Sequence, residues 1–320
     1  TPIADTMGAL LDLRRAGLNI VVLALNPPVV ADRRARGGGG RRWWVVGRQA
    51  ANDPPAPFTT GGAVLQVRNL TKVFPDGTVA LKDVSFDVRD GEFLAIIGLS
   101  GSGKSTLLRC INRLIDPTAG EVVWNGQNIT AANGAELRQI RRQIGMVFQH
   151  FNLVKRSSVT TNVLSGRLGY VNPFWSLLGR FSADDRRRAV AAMARVGIED
   201  KADNRADQLS GGQQQRVGIA RALMQEPKLL LADEPVASLD PVLSHSILRY
   251  LELLNQQDHI TVLCSLHFLD LVHRYATRVV GLKAGELIFD GLPSELTAAK
   301  FKEVYGEEAE MVSVTPQNAS

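Results

Sequence analysis

The stretch Gly98-Leu99-Ser100-Gly101-Ser102-Gly103-Lys104-Ser105 has the residue types and spacing that hold phosphate. Glycines let the backbone curl so that successive N–H groups point inward, and a helix opening there adds its positive dipole end. In the pattern GxxxxGK[ST], Lys104 reaches the β- and γ-phosphates and Ser105 offers its hydroxyl to Mg²⁺, a hard cation that prefers oxygen ligands. Thr106 continues the same helical turn. A Gly/Ser turn capping a helix would account for the glycines alone, but not for strand, loop, Lys-Ser pair and helix together. A second stretch, Leu229-Leu230-Leu231-Ala232-Asp233-Glu234, is an apolar run with two acids at its end. Asp233 is placed to steady the metal through water, and Glu234 to orient or deprotonate an attacking water. The chemistry these groups serve together is hydrolysis of a nucleoside triphosphate.

Such groups need a rigid frame, and the flanking residues supply one. Residues 93–97 form a continuous apolar run between Gly91 and Gly98, the pattern of a strand buried on both faces of a mostly parallel sheet. Residues 229–232 and 260–264 read the same way. Alternating segments at 64–67 and 84–88 predict half-buried antiparallel strands. Helical spacing covers 105–114, which stops before Asp116-Pro117, and 184–196. The expected architecture is an α/β core with an antiparallel flank and a helical insertion.

Residues 1–62 differ in texture, with Gly37 to Gly40, Trp43-Trp44 and a proline cluster at 54, 55 and 57. They read as a linker or tail. Eight arginines against four aspartates lie there, leaving 29 basic and 28 acidic residues for the rest of the 320-residue chain. The folded part is thus nearly neutral despite a net charge of +5, which argues against a nucleic-acid partner. Two distant cysteines, Cys110 and Cys264, offer neither a disulfide framework nor a zinc site, so a reducing cytoplasm is expected. The best apolar stretch, residues 18–30, is broken by Asn26-Pro27-Pro28 and falls short of the roughly 18 residues that span a bilayer. Arg14-Arg15 before it faintly resembles a signal peptide, but no clear small-residue cleavage site follows, and no cleaved leader is expected.

At Leu209-Ser210-Gly211-Gly212-Gln213, opening a helix that runs to about residue 225, the chain resembles the signature of ABC ATPases. A hydroxyl, free N–H groups and a helix dipole make this a second anion site, although a helix cap would explain Ser-Gly-Gly by itself. The resemblance implies a P-loop NTPase fold of ABC type: a RecA-like core, an antiparallel β subdomain and a helical signature subdomain at about 151–225, within a domain spanning 63–296 and followed by a tail at 297–320. It further implies that Gln149 contacts the metal and the attacking water, and that His267 touches the γ-phosphate. Phe74 would stack on adenine, Ser238-Leu239-Asp240 would cross a dimer interface, and Gly98, Ser100, Gly101, Ser102 and Gly103 would line the nucleotide. Two anion sites in one chain imply a two-fold dimer in which each ATP lies between one cradle and the partner's signature.

The phrases Phe148-Gln149-His150-Phe151-Asn152-Leu153-Val154, Leu164-Ser165-Gly166-Arg167-Leu168-Gly169 and Ala232-Asp233-Glu234-Pro235-Val236-Ala237 are similar to phosphonate importer ATPases. That implies two membrane-spanning permease subunits, an extracytoplasmic binding protein, and a peripheral place at the cytoplasmic face of the membrane. Import of an amino acid or polyamine stays open as the rival reading, and a soluble ABC protein as a further one. A non-transport kinase leaves residues 209–213 without a role.

Overall fold

The computed structural model describes residues 62–171 and 179–306. The extension expected over 1–62 therefore lies, up to residue 61, outside the described residues, as does the tail after residue 306.

The chain opens with β1 (Ala63–Val73) and β2 (Val79–Arg89), an antiparallel pair in which Leu65, Val67, Val84, Phe86 and Val88 are buried and alternate residues are more exposed. There follow β3 (Phe93–Ile97), α1 (Lys104–Ile111), β4 (Ala119–Trp124), β5 (Gln127–Asn128) and α2 (Gly134–Arg142). Next come β6 (Ile144–Val147) and three helices, α3 (Val159–Leu164), α4 (Ala183–Arg195) and α5 (Gly211–Leu223). The chain continues with β7 (Leu229–Ala232), α6 (Pro241–Asp258), β8 (Thr261–Ser265), α7 (Leu269–Tyr275), β9 (Arg278–Lys283), β10 (Glu286–Gly291) and α8 (Ala298–Tyr305). One sheet is antiparallel, in the order β2-β1-β4-β5; the other runs β10-β9-β3-β8-β7-β6 and is parallel except for its β10 edge.

Both faces of the parallel sheet are covered, which is why β3 and β7 read as unbroken apolar runs. Phe93, Ala95 and Ile97 of β3 pack with the helices α4 to α6, whereas Leu94 and Ile96 pack with α1. Leu107, Leu108, Cys110 and Ile111 of α1 share that second core with Leu65, Val67, Leu81 and Val122 of the antiparallel sheet. Helix α1 is therefore held between two sheets. Each leucine so buried contributes about 1.5–3 kcal/mol. The helix ends at Ile111, short of the expected residue 114, because Arg113 turns to φ 49° and the Arg109 carbonyl accepts the N–H groups of both Leu114 and Ile115.

The helical segment expected between about 151 and 225 falls between β6 and β7 and carries α3, α4 and α5. Capping boxes start α4 at Ser182–Asp185 and α5 at Ser210–Gln213. The Arg167 guanidinium donates to Asp185 Oδ1 at 3.0 Å and lies over the Tyr170 ring, 4.0 Å from its centroid, while Arg142 of α2 lies 5.0 Å from the same ring. The Tyr170 hydroxyl donates toward the Arg142 and Gln225 carbonyls at 3.1 and 2.7 Å. This clasp joins the segment to the sheet-bearing part.

The residues read as a tail from 297 open with α8, capped by Thr297, whose Phe301, Val304 and Tyr305 are buried in the core of the parallel sheet. Among the described residues no helix is long and apolar enough to cross a membrane.

Candidate nucleotide-binding site

The phosphate loop lies where the sequence puts it, between β3 and α1. Gly98 takes φ 147° and Gly103 φ 107°, conformations that side-chain-bearing residues rarely adopt. There is no room for a side chain either: a Cβ would fall 2.3 Å from the Leu282 carbonyl oxygen at Gly98, and 2.5 Å from that of Ala80 at Gly103. Gly103 is also the N-cap of α1 and offers no side chain to the first-turn N–H groups, which include those of Lys104, Ser105 and Thr106. Ser102 donates its N–H to the Leu99 carbonyl at 3.1 Å and drapes the loop over itself, while Ser100 and Gly101 are exposed and half-turned at its tip.

Lys104 is buried, and its Nζ donates to the Gly98 and Leu99 carbonyls at 2.8 and 2.9 Å. An ammonium has three N–H donors, so one remains. The nearest anion is Glu234, 3.8 Å away at Oε1. Burial pushes the Lys104 pKa down, against the opposing pull of Glu234 and Asp233.

Asp233 stands at the end of β7 with no exposed surface. Its Oδ1 accepts from the Ser105 hydroxyl at 2.7 Å, and its Oδ2 from Arg109 Nη2 at 3.1 Å. Ser105 and Arg109 are four residues apart on α1, so one helix face delivers both donors. Arg109 was not among the residues singled out from sequence, although its spacing from Ser105 was visible there.

Glu234 adopts φ 47°, an uncommon conformation for a glutamate, and its N–H donates to the Ser265 hydroxyl at 2.7 Å. That bond turns the carboxylate toward His267, whose Nε2 lies 2.7 Å from Oε1. The hydrogen bond from His267 holds the Glu234 carboxyl below its ordinary range, burial opposes, and the charges of His267 and Lys104 reinforce the lowering. Ser265 is a second residue that sequence alone did not single out, because only the pairing of β7 with β8 places it there.

Lys104, Ser105, Asp233, Glu234 and His267 thus converge. Gln149 lies two residues beyond β6, the strand beside β7, and Asp233 N–H donates to the Val147 carbonyl at 2.9 Å. Phe74 follows β1 in the loop that leads into β2, whose Ala80 abuts Gly103, and Lys72 Nζ lies 5.3 Å from its ring centroid. The Ser210-to-Gln213 turn has local partners: Ser210 and Gln213 cap each other's backbone, and Gly212 faces Leu243. Among the described residues no hydrogen bond or ion pair joins that turn to the phosphate loop. Asp240 caps α6 by accepting from Leu243 N–H at 3.0 Å.

The residues fit a nucleotide and its cation. The cradle is backbone with no side chain to fill it, the uncapped N–H groups suit phosphate oxygens, and a hydroxyl paired with a buried carboxylate is a hard oxygen donor set. The ABC transporter family model matches residues 81–237. Phosphonates import ATP-binding protein PhnC 2 of Halalkalibacterium halodurans is 52% identical over 242 residues, covering 76% of this chain and 99% of its own. PhnC of Bdellovibrio bacteriovorus is 55% identical over 251 residues, covering 78% and 96%. The chain belongs to the ABC transporter family. The ATP-binding cassette MJ0796, solved as a dimer in a post-hydrolysis state with ADP and phosphate, is 36% identical with a TM-score of 0.65, covering 72% of this chain and 98% of that one. The ADP conformation of the cassette MJ1267 aligns with a TM-score of 0.67 at 30% identity, covering 78% and 99%. The ABC-type P-loop fold expected from residues 98–105 and 209–213 is therefore the fold of this chain, and an ABC cassette binds ATP.

Proposed function

We propose that this chain is the ATP-hydrolysing subunit of an importer for phosphonates or related phosphorus oxyanions. It acts with Mg²⁺ at the cytoplasmic face of the cell membrane, beneath two permease subunits served by an extracytoplasmic binding protein. Identity of 52–55% over nearly the full length of relatives named as phosphonate import ATP-binding proteins supports the substrate class. The single structural observation that carries the reaction is Glu234, held by His267 at 2.7 Å and by Lys104 at 3.8 Å beside the phosphate cradle.

In this reading the loop from Gly98 to Thr106 grips the phosphates through backbone N–H groups, and Lys104 turns its third N–H to a phosphate oxygen. A divalent cation held by Ser105 and Asp233, with Gln149, supplies charge neutralisation on the triphosphate. Ionised Glu234 accepts a hydrogen bond from water and aims it, while His267 meets the γ-phosphate and Phe74 stacks on the base. The partner copy supplies Ser210, Gly211, Gly212 and Gln213, with Asp240 at the dimer interface, because among the described residues no hydrogen bond or ion pair joins that turn to the cradle of its own chain. Binding closes the dimer, and loss of the γ-phosphate reopens it.

The test is ATP hydrolysis by the complete transporter in vesicles, with candidate solutes delivered by its binding protein. Stimulation by phosphonate, phosphite or phosphate is the expected outcome. Stimulation by an amino acid or polyamine instead would move the chain to the rival import class.

A further inference from the structure

Helix α8 lies beyond the 81–237 family match and past residue 296, yet it reaches the nucleotide site. Its docking is specific. Val304 packs so closely on β9 that a Cβ at Gly281 would fall 3.0 Å from Val304 Cγ2, and Lys283 Nζ donates to the Glu303 carbonyl at 2.8 Å. The Phe301 and Tyr305 rings stack with centroids 4.3 Å apart and planes inclined by 28°. Tyr305 is 1% exposed, and its hydroxyl has two partners. It accepts the N–H of Gly98, the first residue of the phosphate loop, at 3.4 Å, and donates to the main-chain carbonyl of His267 at 3.4 Å.

We propose that Tyr305 is a positioning residue for ATP hydrolysis, one hydroxyl setting the phosphate loop and His267 relative to each other. The inference rests on the nucleotide reading above. The His267 carbonyl belongs to the peptide that fixes the direction of its imidazole, and that imidazole holds Glu234. Leu266, the preceding residue, is already tied by its N–H to the Ile96 carbonyl at 3.0 Å. The free variable is therefore the turn at His267 itself, which Tyr305 holds. Burial pushes the Tyr305 phenol up to about 12, so it stays a donor throughout the working pH range.

The experiment is Tyr305→Phe in the full chain, which keeps the ring and its stacking and removes the hydroxyl. The expected result is a fall in kcat of about three- to tenfold with KM for ATP changed less than about twofold. Gly98 amide hydrogen exchange should also quicken. In a His267→Ala background the same substitution should change residual turnover by less than about twofold, since the histidine it serves is gone. A kcat equal to the parent, or an equal fractional loss in both backgrounds, overturns the proposal. Should Tyr305→Phe be unstable, Gly98 amide exchange in the parent decides: an unprotected amide overturns the assignment and a protected one supports it. A parent chain that neither binds nor hydrolyses ATP overturns the underlying nucleotide reading, and this proposal with it.

Discussion

His267 Nε2 lies 2.7 Å from Glu234 Oε1, although the two residues follow different strands. The parallel register of β7 on β8, with Ala232 opposite Cys264, brings the two strand ends level, and the Ser265 hydroxyl turns the Glu234 backbone inward. A carboxylate and an imidazole are thereby joined in one hydrogen bond. Loss of either should be felt by the other.

On the proposed reading, Glu234→Gln keeps the shape and the capacity to bind ATP but removes the charge that aims the water. Turnover should fall by about 100-fold or more while a stable ATP-bound dimer accumulates. Phosphate release and light scattering after size-exclusion chromatography measure the two effects. Normal hydrolysis in this variant removes Glu234 from the reaction.

The pH behaviour of the pair has a definite sign. The hydrogen bond from His267 holds the Glu234 carboxyl below its ordinary range. A carboxylate with a lowered folded-state pKa contributes stability above its unfolded value and loses it as pH falls through the folded one. His267→Ala should therefore raise the Glu234 pKa, so that this contribution is smaller at neutral pH and its loss on acidification is complete at a higher pH. Carbon-detected NMR titration of labelled glutamate follows this directly, and an unmoved Glu234 would show that His267 does not set its charge.

Lys104→Ala removes the buried ammonium from the cradle. Affinity for ATP should drop by about tenfold or more, the loss expected of a charge-assisted contact to phosphate. Isothermal titration with ATP is the measurement, and unaltered affinity counts against the cradle.

Arg109→Ala leaves the buried Asp233 with one donor fewer. Because the arginine is 42% exposed at its side chain, the cost to stability is expected at about 1–3 kcal/mol rather than the full value of a buried pair. The Mg²⁺ concentration for half-maximal hydrolysis should also rise, while ATP binding in EDTA stays the same. Denaturant midpoints and a Mg²⁺ titration test both halves, and an unchanged Mg²⁺ requirement rules out a role for Arg109 in orienting Asp233.

Gly98→Ala forces a methyl group against the Leu282 carbonyl and into an unfavourable φ. It should cost more than about 1 kcal/mol and weaken nucleotide binding. A variant with parental melting temperature and affinity would mean that the loop relaxes freely.

What could be read from sequence was local. The phosphate loop, the acid pair ending β7 and the cap opening α5 are short patterns whose chemistry follows from neighbours in the chain. Arg109 and Ser265 escaped because their roles depend on Asp233 and Glu234, far away along the chain and adjacent only after the sheet forms. The end of α1 was read three residues late because Asp116-Pro117 looked like the stop, whereas a left-handed turn at Arg113 had already closed the helix. Helix α8 was read as a tail, although Phe301, Val304 and Tyr305 carry helical spacing. One turn of apolar residues is a weak signal until β9 is known to lie beneath it.

Helix α1, gripped by apolar side chains on opposite flanks, has a mechanical consequence. Any load that a triphosphate places on Lys104 and Ser105 is shared at once by both layers that enclose the helix, so the grip on the fuel is stiff. The segment between β6 and β7 shares its apolar core with the opposite face of the parallel sheet, Val163, Ala192 and Val217 clustering with Phe93, Ile97 and Leu230, so it too is coupled to the strands on which the phosphate loop is mounted.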